Sequence, residues 1–241
     1  MENKRALVCG SSKGIGAATA IELSKLGTSI ILLARDEKSL TEVMNKLDKS
    51  HNQKHDYIIA DFDEPESLKK KILSSDYVKS EYPIHILINN SGGPPSGPLI
   101  DAKPSDFEKA FLRHVLASQT LVQLLLPGMQ SSNYGRIINI ISTSVKEPIS
   151  GLGVSNTIRG AMASWSKTLS KELPPSVTIN NVLPGFTNTE RLSELKKTLS
   201  EQRGISQDEV ESAWLSTVPE GRLAEPSELG KVVAFLSSPA A

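Results

Sequence analysis

The sequence predicts an α/β fold in one domain, a doubly wound parallel sheet with helices on both faces. Short apolar runs alternate along the chain with longer segments whose apolar residues recur at helical spacing. The runs lack the two-residue alternation of a half-exposed strand, which indicates a parallel sheet buried on both faces. One such domain accommodates all 241 residues, since no linker, internal repeat or low-complexity tract divides them.

The predicted elements follow one another in alternating order. The apolar runs predict strands at 5–10, 29–34, 55–62, 84–90, 135–142 and 177–185. Helical periodicity predicts helices at 14–27, 36–49, 64–80, 104–130 and 155–173. A charged stretch, 190–218, interrupts the alternation and is expected to form two helices broken at Gly204. Because ligands of open α/β sheets lie beyond the carboxyl ends of the strands, we interpret this insertion as a lid over a substrate. The alternative is a solvated elaboration of the surface.

Composition excludes several classes of protein. Lys plus Arg and Asp plus Glu both number 27, so no net charge favours nucleic acid or anionic lipid as a partner. The single cysteine, Cys9, excludes an intrachain disulfide and favours a reducing compartment. No apolar stretch approaches the about 18 residues of a membrane span, and the N-terminus lacks the apolar run of a signal peptide. We therefore expect a cytoplasmic protein that acts on a small molecule.

The stretch "VCGSSKGIG" (8–16) predicts a dinucleotide site. Gly10, Gly14 and Gly16 stand between a predicted strand and a predicted helix. Glycines allow a tight turn and a close approach of the backbone to a pyrophosphate, which then lies on the amides of the helix N-terminus. This pattern, at the start of alternating strands and helices, indicates a Rossmann-type fold.

The end of the second predicted strand favours NADP(H) over NAD(H). An NAD site usually has an acidic residue about 20 residues after the glycines, to hold the ribose 2′-hydroxyl. Here Ala34 lies eighteen residues after Gly16, and Arg35 follows it. A guanidinium binds a 2′-phosphate through forked, charge-assisted hydrogen bonds, and Lys13 offers a second positive charge. The alternative for Arg35 is a solvated residue at a strand end.

Five motifs together make the chain resemble the short-chain dehydrogenase/reductase family along nearly its whole length. They are "CGSSKGIG" (9–16), Asp61 after the third strand, "NNSGG" (89–93), "INIIS" (138–142) and "NNVLPGFTNT" (180–189). The stretches "VKEP", "SNTIRGAM" and "TLSKEL" are similar to those of members described as β-ketoacyl-ACP reductase-like. The resemblance implies an oxidoreductase with NADP(H) as its cofactor.

The resemblance also implies which residues bind the cofactor. Asp61 and Phe62 would contact the adenine, while Asn89, Ser91 and Gly92 would line the cofactor. The stretch from Pro184 to Thr189 would hold the nicotinamide end. The full set of expected cofactor contacts is Gly10, Ser12, Lys13, Gly14, Ile15, Gly16, Ala34, Arg35, Asp61, Phe62, Asn89, Ser91, Gly92, Arg159, Pro184, Gly185, Phe186, Thr187 and Thr189.

The chain departs from the family at the catalytic set, which is Asn, Ser, Tyr and Lys. Ser142 falls on the Ser position, but Ser155, thirteen residues later, replaces the Tyr, and Arg159 replaces the Lys. His114, 28 residues before Ser142, replaces the Asn. None of the four tyrosines has a lysine four residues later, so the pair has not moved elsewhere. The candidate catalytic residues are therefore Ser142, Ser155, Arg159 and His114.

The residues that stand at the family's catalytic positions are expected to divide the catalytic roles differently from the family's own residues. Ser155 is a far weaker acid than a tuned phenol, with a helix N-cap as its alternative role. Arg159 keeps its charge, so it can anchor the cofactor ribose or stabilise an oxyanion together with Ser142. His114 is expected to titrate near neutrality and to be the better acid, either directly or through water. The alternative is that His114 is buried in a helix interior with its hydrogen bonds satisfied.

Three functions remain open at this point. The first is carbonyl reduction, of a 3-oxoacyl-like or other substrate, or alcohol oxidation, with an atypical catalytic set. The second is NADP(H) binding as a sensor or assembly component without turnover. The third is cofactor-assisted lyase or isomerase chemistry, which needs no phenolic acid.

The sequence predicts no metal site and an assembly of identical chains. His51 and His55 have the i, i+4 spacing of a metal pair, but no third ligand accompanies them, so no metal site is expected. The stretch "FLRHVLASQTLVQLLLPGM" in the helix 104–130 is apolar on more than one face, and "AMASW" in the helix 155–173 offers small residues for close helix approach. Family members commonly pair these two helices across a two-fold axis. We therefore expect a homodimer or homotetramer. Family members usually continue beyond a segment like "FLSSPAA" into a further strand and a Gly-rich tail, which this sequence does not contain.

Overall fold

A six-stranded parallel sheet forms the centre of the molecule, which we describe from a computed structural model covering residues 1–79 and 83–241. The strands follow the order β3-β2-β1-β4-β5-β6, and every neighbouring pair is parallel. The chain order reverses between β1 and β4, and this switch point is where ligands of open α/β sheets bind. The strands are β1 Arg5–Cys9, β2 Ser29–Ala34, β3 Asp56–Ile59, β4 Ile86–Asn89, β5 Gly135–Ile140 and β6 Val177–Val182.

Helices cover both faces of this sheet. Alternate strand residues enter two separate cores: Val8 of β1 packs with helices α1, α2 and α10, whereas Leu7 packs with α3 and α6. This two-sided burial confirms the predicted doubly wound, single-domain α/β fold. The helices are α1 Gly14–Lys25, α2 Glu37–Met44, α3 Pro65–Ser74, α4 Asp76–Lys79, α5 Pro104–Phe111, α6 Ala117–Ser131, α7 Gly153–Leu169, α8 Glu190–Arg203, α9 Gln207–Leu215 and α10 Pro226–Leu236.

Several predicted boundaries are wrong. The predicted helix 104–130 is α5 and α6 joined by a π-helical turn, Leu112–Leu116. The predicted helix 36–49 ends at Met44, and the predicted helix 64–80 is divided between α3 and α4. Its last residue, Ser80, lies outside the described residues. The predicted strand 29–34 coincides with β2, and the other five strands are shorter than the predicted apolar runs.

The segment 190–218 contains helices α8 and α9. Gly204, with φ of 66°, ends α8 in the left-handed conformation that glycine adopts without strain. Ser206 and Glu209 then form a capping box at the start of α9. The ring of Trp214 in α9 stacks on Phe186 with centroids 5.1 Å apart, which attaches the segment to the loop after β6. Within the described residues, no helix is long and apolar enough to cross a membrane.

Candidate functional site

A tight glycine loop joins β1 to α1 at the carboxyl edge of the sheet. Gly10 and Gly14 have φ of 56° and 58°, which residues with a Cβ rarely adopt. A Cβ on Gly16 would lie 2.2 Å from the carbonyl oxygen of Gly10, so only glycine fits there. The loop is therefore closed as tightly as the sequence motif predicts.

Two side chains fix this loop to neighbouring strands. Asn90, which follows β4, donates through Nδ2 to the carbonyl oxygens of Gly10 at 3.1 Å and Cys9 at 3.3 Å. Ser11 accepts a hydrogen bond from the Leu33 amide of β2 at 2.9 Å. Asn90 is a functional residue that sequence reasoning missed, although its place in the "NNSGG" motif was a signal. The loop is held by strands on both sides of β1.

The loop and the first turn of α1 fit a bound pyrophosphate. Lys13 is the N-cap residue, and its side chain makes no capping hydrogen bond. The first-turn amides therefore have no side-chain acceptor, and a phosphate at this helix end supplies one. Lys13 pairs with Glu190 at the start of α8, and a Cβ on Gly14 would lie 3.4 Å from the Thr189 methyl group. Ser12 and Ile15 are partly buried in the same loop.

Arg35 lies just beyond β2 with 69% of its side chain exposed. Its Nη1 is 3.6 Å from an oxygen of Asp61, a long and solvated ion pair. The next residue, Asp36, caps α2 by accepting from the Ser39 amide at 2.8 Å. Ala34 is buried, so Arg35 is the first side chain after β2 that reaches solvent. The Arg35 guanidinium is thus exposed at the end of β2, where it is predicted to bind a 2′-phosphate.

Two residues expected to contact the cofactor turn their side chains inward. Asn89 donates to Asn139 at 2.8 Å, and Asn139 donates to Asn181 at 2.9 Å, which forms a ladder across β4, β5 and β6. Phe62 is 9% exposed and packs in the core with Cys9 and Leu33. Their side chains support the floor of the site, which leaves their backbone groups for any cofactor contact.

Ser142 lies directly after β5 and caps the 3₁₀ turn Thr143–Val145. Its hydroxyl oxygen accepts from the Ser144 amide at 3.0 Å. The Thr143 amide donates to the carbonyl oxygen of Pro184 at 3.2 Å, which brings the loop after β6 beside Ser142. Ser142 retains its own hydroxyl hydrogen as a donor, as an oxyanion contact requires.

The loop after β6 holds the residues expected at the nicotinamide end. Pro184 is partly buried and Gly185 is exposed with open space around it. Thr187 is buried, and its hydroxyl donates to the carbonyl oxygen of Gly185 at 3.2 Å. Thr189 caps α8 by accepting from the Leu192 amide at 3.3 Å. The ring of Phe186 is engaged by Trp214, so its side chain supports α9 instead of facing solvent.

Ser155 and Arg159 lie one turn apart near the start of α7. The helix begins at Gly153 with Leu152 as its N-cap, so the alternative role of Ser155 as the N-cap is wrong. Arg159 donates through Nη1 to the carbonyl oxygen of Ile140, the last residue of β5, at 2.8 Å. Burial lowers the pKa of Arg159 to about 10, with a further contribution from the positive charge of Arg191. Arg159 therefore stays ionised at neutral pH, and its charge lies against the edge of the sheet.

His114 lies in the π-helical turn, 3% exposed, with Nδ1 2.8 Å from the hydroxyl of Ser91. Its Nε2 is buried without a hydrogen-bond partner in the described structure. Burial lowers the pKa of His114 well below its ordinary value, and the charges of Arg159 and Arg113 lower it further. The expectation that His114 titrates near neutrality is therefore wrong, and the imidazole is neutral at pH 7.

A cavity of about 10 Å³, close to the size of one water molecule, lies beneath these groups. Its lining includes His114, Arg159 and Arg113. Arg113 forms a two-point ion pair with Asp63, in which Nε lies 2.6 Å from Oδ1 and Nη2 contacts Oδ2. This contact raises the pKa of Arg113 and lowers that of Asp63. The charge of Arg113 is thus balanced locally.

Arg191, on α8, is a second residue that sequence reasoning missed. Its Nη2 donates to the carbonyl oxygen of Pro94 at 2.7 Å, which connects α8 to the loop after β4. A Cβ on Gly93 would lie 3.8 Å from Nη2 of Arg191 and 3.8 Å from Nη2 of Arg159. No local pattern predicts this approach, because Arg191 and Gly93 are 98 positions apart in the chain.

The two histidines with metal-pair spacing contact ordinary protein groups. His51 lies 3.0 Å from Glu2, and His55 accepts from the Ile30 amide at 3.1 Å. Across residues 1–79 and 83–241, no group of three or more His, Cys, Asp or Glu residues is placed to hold a metal ion.

Known proteins share both the sequence and the fold of this chain. Residues 4–200 match the short chain dehydrogenase family. The 3-oxoacyl-(acyl-carrier-protein) reductase FabG of Haemophilus influenzae is 31% identical over 242 residues, covering 99% of this chain and 92% of that protein. The NADPH-dependent reductase BacG of Bacillus subtilis is 25% identical, covering 99% of this chain and 92% of that protein.

A solved structure shows the same architecture. The L-sorbose reductase from Gluconobacter frateurii, complexed with NADPH and L-sorbose, superposes with a TM-score of 0.90 at 27% identity. That superposition covers 100% of this chain and 92% of the sorbose reductase chain. The family match, the relatives and the shared sheet lead to one conclusion: the chain belongs to the short-chain dehydrogenase/reductase family.

Proposed function

We propose that this chain is an NADP(H)-dependent oxidoreductase that reduces a carbonyl group or oxidises the corresponding alcohol without a phenolic acid. The observation that carries the proposal is Arg159, whose ionised guanidinium is hydrogen-bonded to the end of β5, the strand that leads directly into Ser142. Positive charge fixed there stabilises negative charge that develops on a substrate oxygen. The reductases among its relatives, FabG and BacG, support this class of reaction.

The cofactor preference rests on Arg35 and Lys13. Both side chains are exposed at the edge of the glycine loop, and the nearest carboxylate to Arg35 is that of Asp61 at 3.6 Å. Charge-assisted hydrogen bonds to a 2′-phosphate favour NADPH over NADH by about 1–3 kcal/mol. The NADPH-dependent reductase BacG and the NADPH complex of sorbose reductase support this preference.

The protein groups position the substrate and its charge. When bound, the cofactor supplies or accepts the hydride. Ser142 donates a hydrogen bond to the substrate oxygen, and Arg159 places a full positive charge beside it. Arg159 also anchors the cofactor ribose, the role that the family's Lys implies. Helices α8 and α9 form a lid above these groups and limit the access of water.

The proton is expected to come from solvent. Ser155 has an alcohol hydroxyl, which is a much weaker acid than a tuned phenol. His114 is neutral at pH 7 because burial and two neighbouring arginines disfavour its charged form. Ser155 instead leaves space for substrate or water. Small ketones and ketoacyl thioesters that depend on a phenolic acid are therefore expected to be poor substrates, and a His114→Ala variant should keep the wild-type pH profile.

The proposal is tested by NADPH oxidation at 340 nm against a panel of ketones, oxo acids and 3-oxoacyl thioesters, beside fluorescence titrations with NADPH and NADH. Consumption of NADPH with formation of the matching alcohol is the expected result. Binding of NADPH at micromolar affinity with no consumption across the panel would instead identify a sensor or assembly protein, an alternative favoured by the replaced Tyr and the neutral His114. Product formation without net cofactor change would identify a lyase or isomerase. We also propose a homodimer or homotetramer, which light scattering at micromolar concentration tests.

A further inference from the structure

Two arginines from distant parts of the chain converge on Gly93. Nη2 of Arg159 and Nη2 of Arg191 each lie 3.8 Å from the position of a Cβ on Gly93. The two nitrogen atoms are therefore separated by no more than twice that distance. We refer to Arg159 and Arg191 as the Gly93 arginine pair. A carboxylate that accepts one charge-assisted hydrogen bond of about 2.7–2.9 Å on each of its oxygens can bridge two donors separated by up to about this maximum.

The charge of this pair is poorly balanced within the described residues. Arg159 makes its hydrogen bond to a neutral backbone oxygen and forms no ion pair there. Arg191 approaches Glu194 at 3.8 Å, and the side chains of both are about half exposed. Arg113, in contrast, has a two-point contact with Asp63. Charged groups removed from water are normally paired, and within the described residues Arg159 lacks the carboxylate partner that Arg113 has and that Arg191 has at a longer distance.

The lowered pKa of Arg159 agrees with this geometry. Burial is its main cause, and the positive charge of Arg191 is the second. An anion bound by both arginines stabilises their two positive charges, each of which disfavours the ionisation of the other. The exposed side chain of Arg191 leaves the pair accessible to a ligand from solvent. Gly93 itself adds no side chain between the two guanidinium groups.

We propose that the Gly93 arginine pair binds the carboxylate of an oxo-acid substrate. This inference rests on the proposed function and names its substrate class. A single anion contacts Arg159, beside the carbonyl group, and Arg191, on the lid. Substrate binding then adds an interaction between α7 and α8 that a neutral ketone cannot provide.

Matched pairs of ligands test the carboxylate directly. The protein is loaded with NADP⁺ and titrated by calorimetry with 2-oxobutanoate, acetoacetate and 4-oxopentanoate, and with their methyl esters. At least one acid should bind about tenfold or more tightly than its ester, which is the change that one charge-assisted hydrogen bond produces. Equal affinity of every acid and its ester would overturn the proposal. Displacement of the acids by inorganic phosphate at equal affinity would also overturn the assignment to carboxylate.

Variants locate the binding site. Arg191→Gln should reduce the preference for acid over ester to about twofold or less, the scale of a solvated contact. Arg203→Gln, at the exposed end of the same helix, removes the same charge and should leave the preference unchanged. A loss in Arg203→Gln as large as in Arg191→Gln would overturn the proposal, because it would indicate a diffuse charge effect.

A third variant places a competing carboxylate at the pair. Gly93→Asp introduces a side chain whose first atom lies 3.8 Å from both nitrogens, so it should abolish the preference for acids. NADPH affinity, measured by fluorescence, reports whether the variant is folded. An unchanged preference with normal NADPH binding would contradict the proposal.

These binding experiments separate the inference from the proposed function. Acid binding at the pair without NADPH consumption would refute the reductase function and support the anion site. Consumption of NADPH with neutral ketones and no preference for acids would support the function and refute the anion site.

Discussion

Replacing Arg159 by methionine removes a charge that forms no ion pair with any residue that the structure describes. The pKa of Arg159 is lowered by more than two units from its ordinary value to about 10, mainly by burial. One pKa unit corresponds to about 1.36 kcal/mol, so the charged side chain destabilises the ligand-free fold by about 3 kcal/mol. The sign follows because the folded chain holds this proton less tightly than the unfolded chain. The destabilisation is therefore present at pH 7 and is relieved only as pH rises through about 10.

The expected change in stability is smaller than this figure. Arg159→Met also removes the hydrogen bond to the carbonyl oxygen of Ile140, which contributes about 0.5–1.5 kcal/mol. The net result should be a stabilisation of about 2 kcal/mol. For a domain of this size each 1 kcal/mol raises the Tm by about 2–4 °C, so we expect a rise of about 4–8 °C.

The assay is thermal unfolding of the ligand-free variants at pH 7 and one fixed protein concentration. Arg113→Met is the matched control, because it removes an arginine that Asp63 balances and should lower the Tm. NADPH should narrow the difference between wild type and Arg159→Met, since it binds the wild type more tightly. A fall in Tm for Arg159→Met as large as for Arg113→Met would refute the view that Arg159 is unbalanced.

Three further predictions follow from single contacts. Gly16→Ala forces a Cβ to within 2.2 Å of the Gly10 carbonyl oxygen, so it should destabilise the fold by about 1–3 kcal/mol and weaken NADPH binding. In the control Gly160→Ala the new Cβ meets no atom within 4 Å, so this variant should keep its stability and its NADPH affinity. Equal effects of the two substitutions would contradict the view that a steric clash at Gly16 is the cause. Arg35→Ala should weaken NADPH binding by about 1–3 kcal/mol and leave NADH binding nearly unchanged, whereas an equal loss for both cofactors in fluorescence titrations would refute the 2′-phosphate assignment. Burial and nearby positive charges lower the pKa of His85 from 6.5 to about 4. Between these two pH values the unfolded chain binds more protons at His85 than the folded chain does, so the free energy of unfolding falls as pH drops. The loss in unfolding free energy is about 2 kcal/mol at pH 5, so the unfolding free energy of His85→Gln, measured with urea, should depend less on pH than that of the wild type. The same pH dependence in both proteins would contradict this prediction.

The sheet and its glycine loop could be predicted from the sequence because their signals are local. Consecutive apolar residues mark each buried strand, and the spacing of Gly10, Gly14 and Gly16 marks the turn. The same local signals overestimated helix length, since the period of a helix continues through the π-helical turn at Leu112–Leu116. Periodicity does not detect a change in backbone hydrogen bonding.

The electrostatic character of the site could not be predicted from the sequence. The ionisation of His114 depends on its burial and on the charges of Arg113, its neighbour in the chain, and Arg159, forty-five positions away. The approach of Arg191 to Gly93 depends on how α8 packs over the loop after β4. Such contacts join segments far apart in sequence, so residue spacing carries no signal for them. The family resemblance gave the position of Arg159, but it did not show that Arg159 forms no ion pair within residues 1–79 and 83–241.

In the proposed reaction, Arg159 stabilises the charge that accompanies hydride transfer, and residue 155 supplies no acid. The most direct measurement is the steady-state rate of NADPH oxidation by wild type, Ser155→Ala and Arg159→Ala, with cofactor affinity measured for each protein. Ser155→Ala should retain a large part of kcat, whereas Arg159→Ala should bind cofactor more weakly and lose turnover. Loss of turnover in Ser155→Ala with unchanged cofactor affinity would contradict the account, because it would make the Ser155 hydroxyl the essential group.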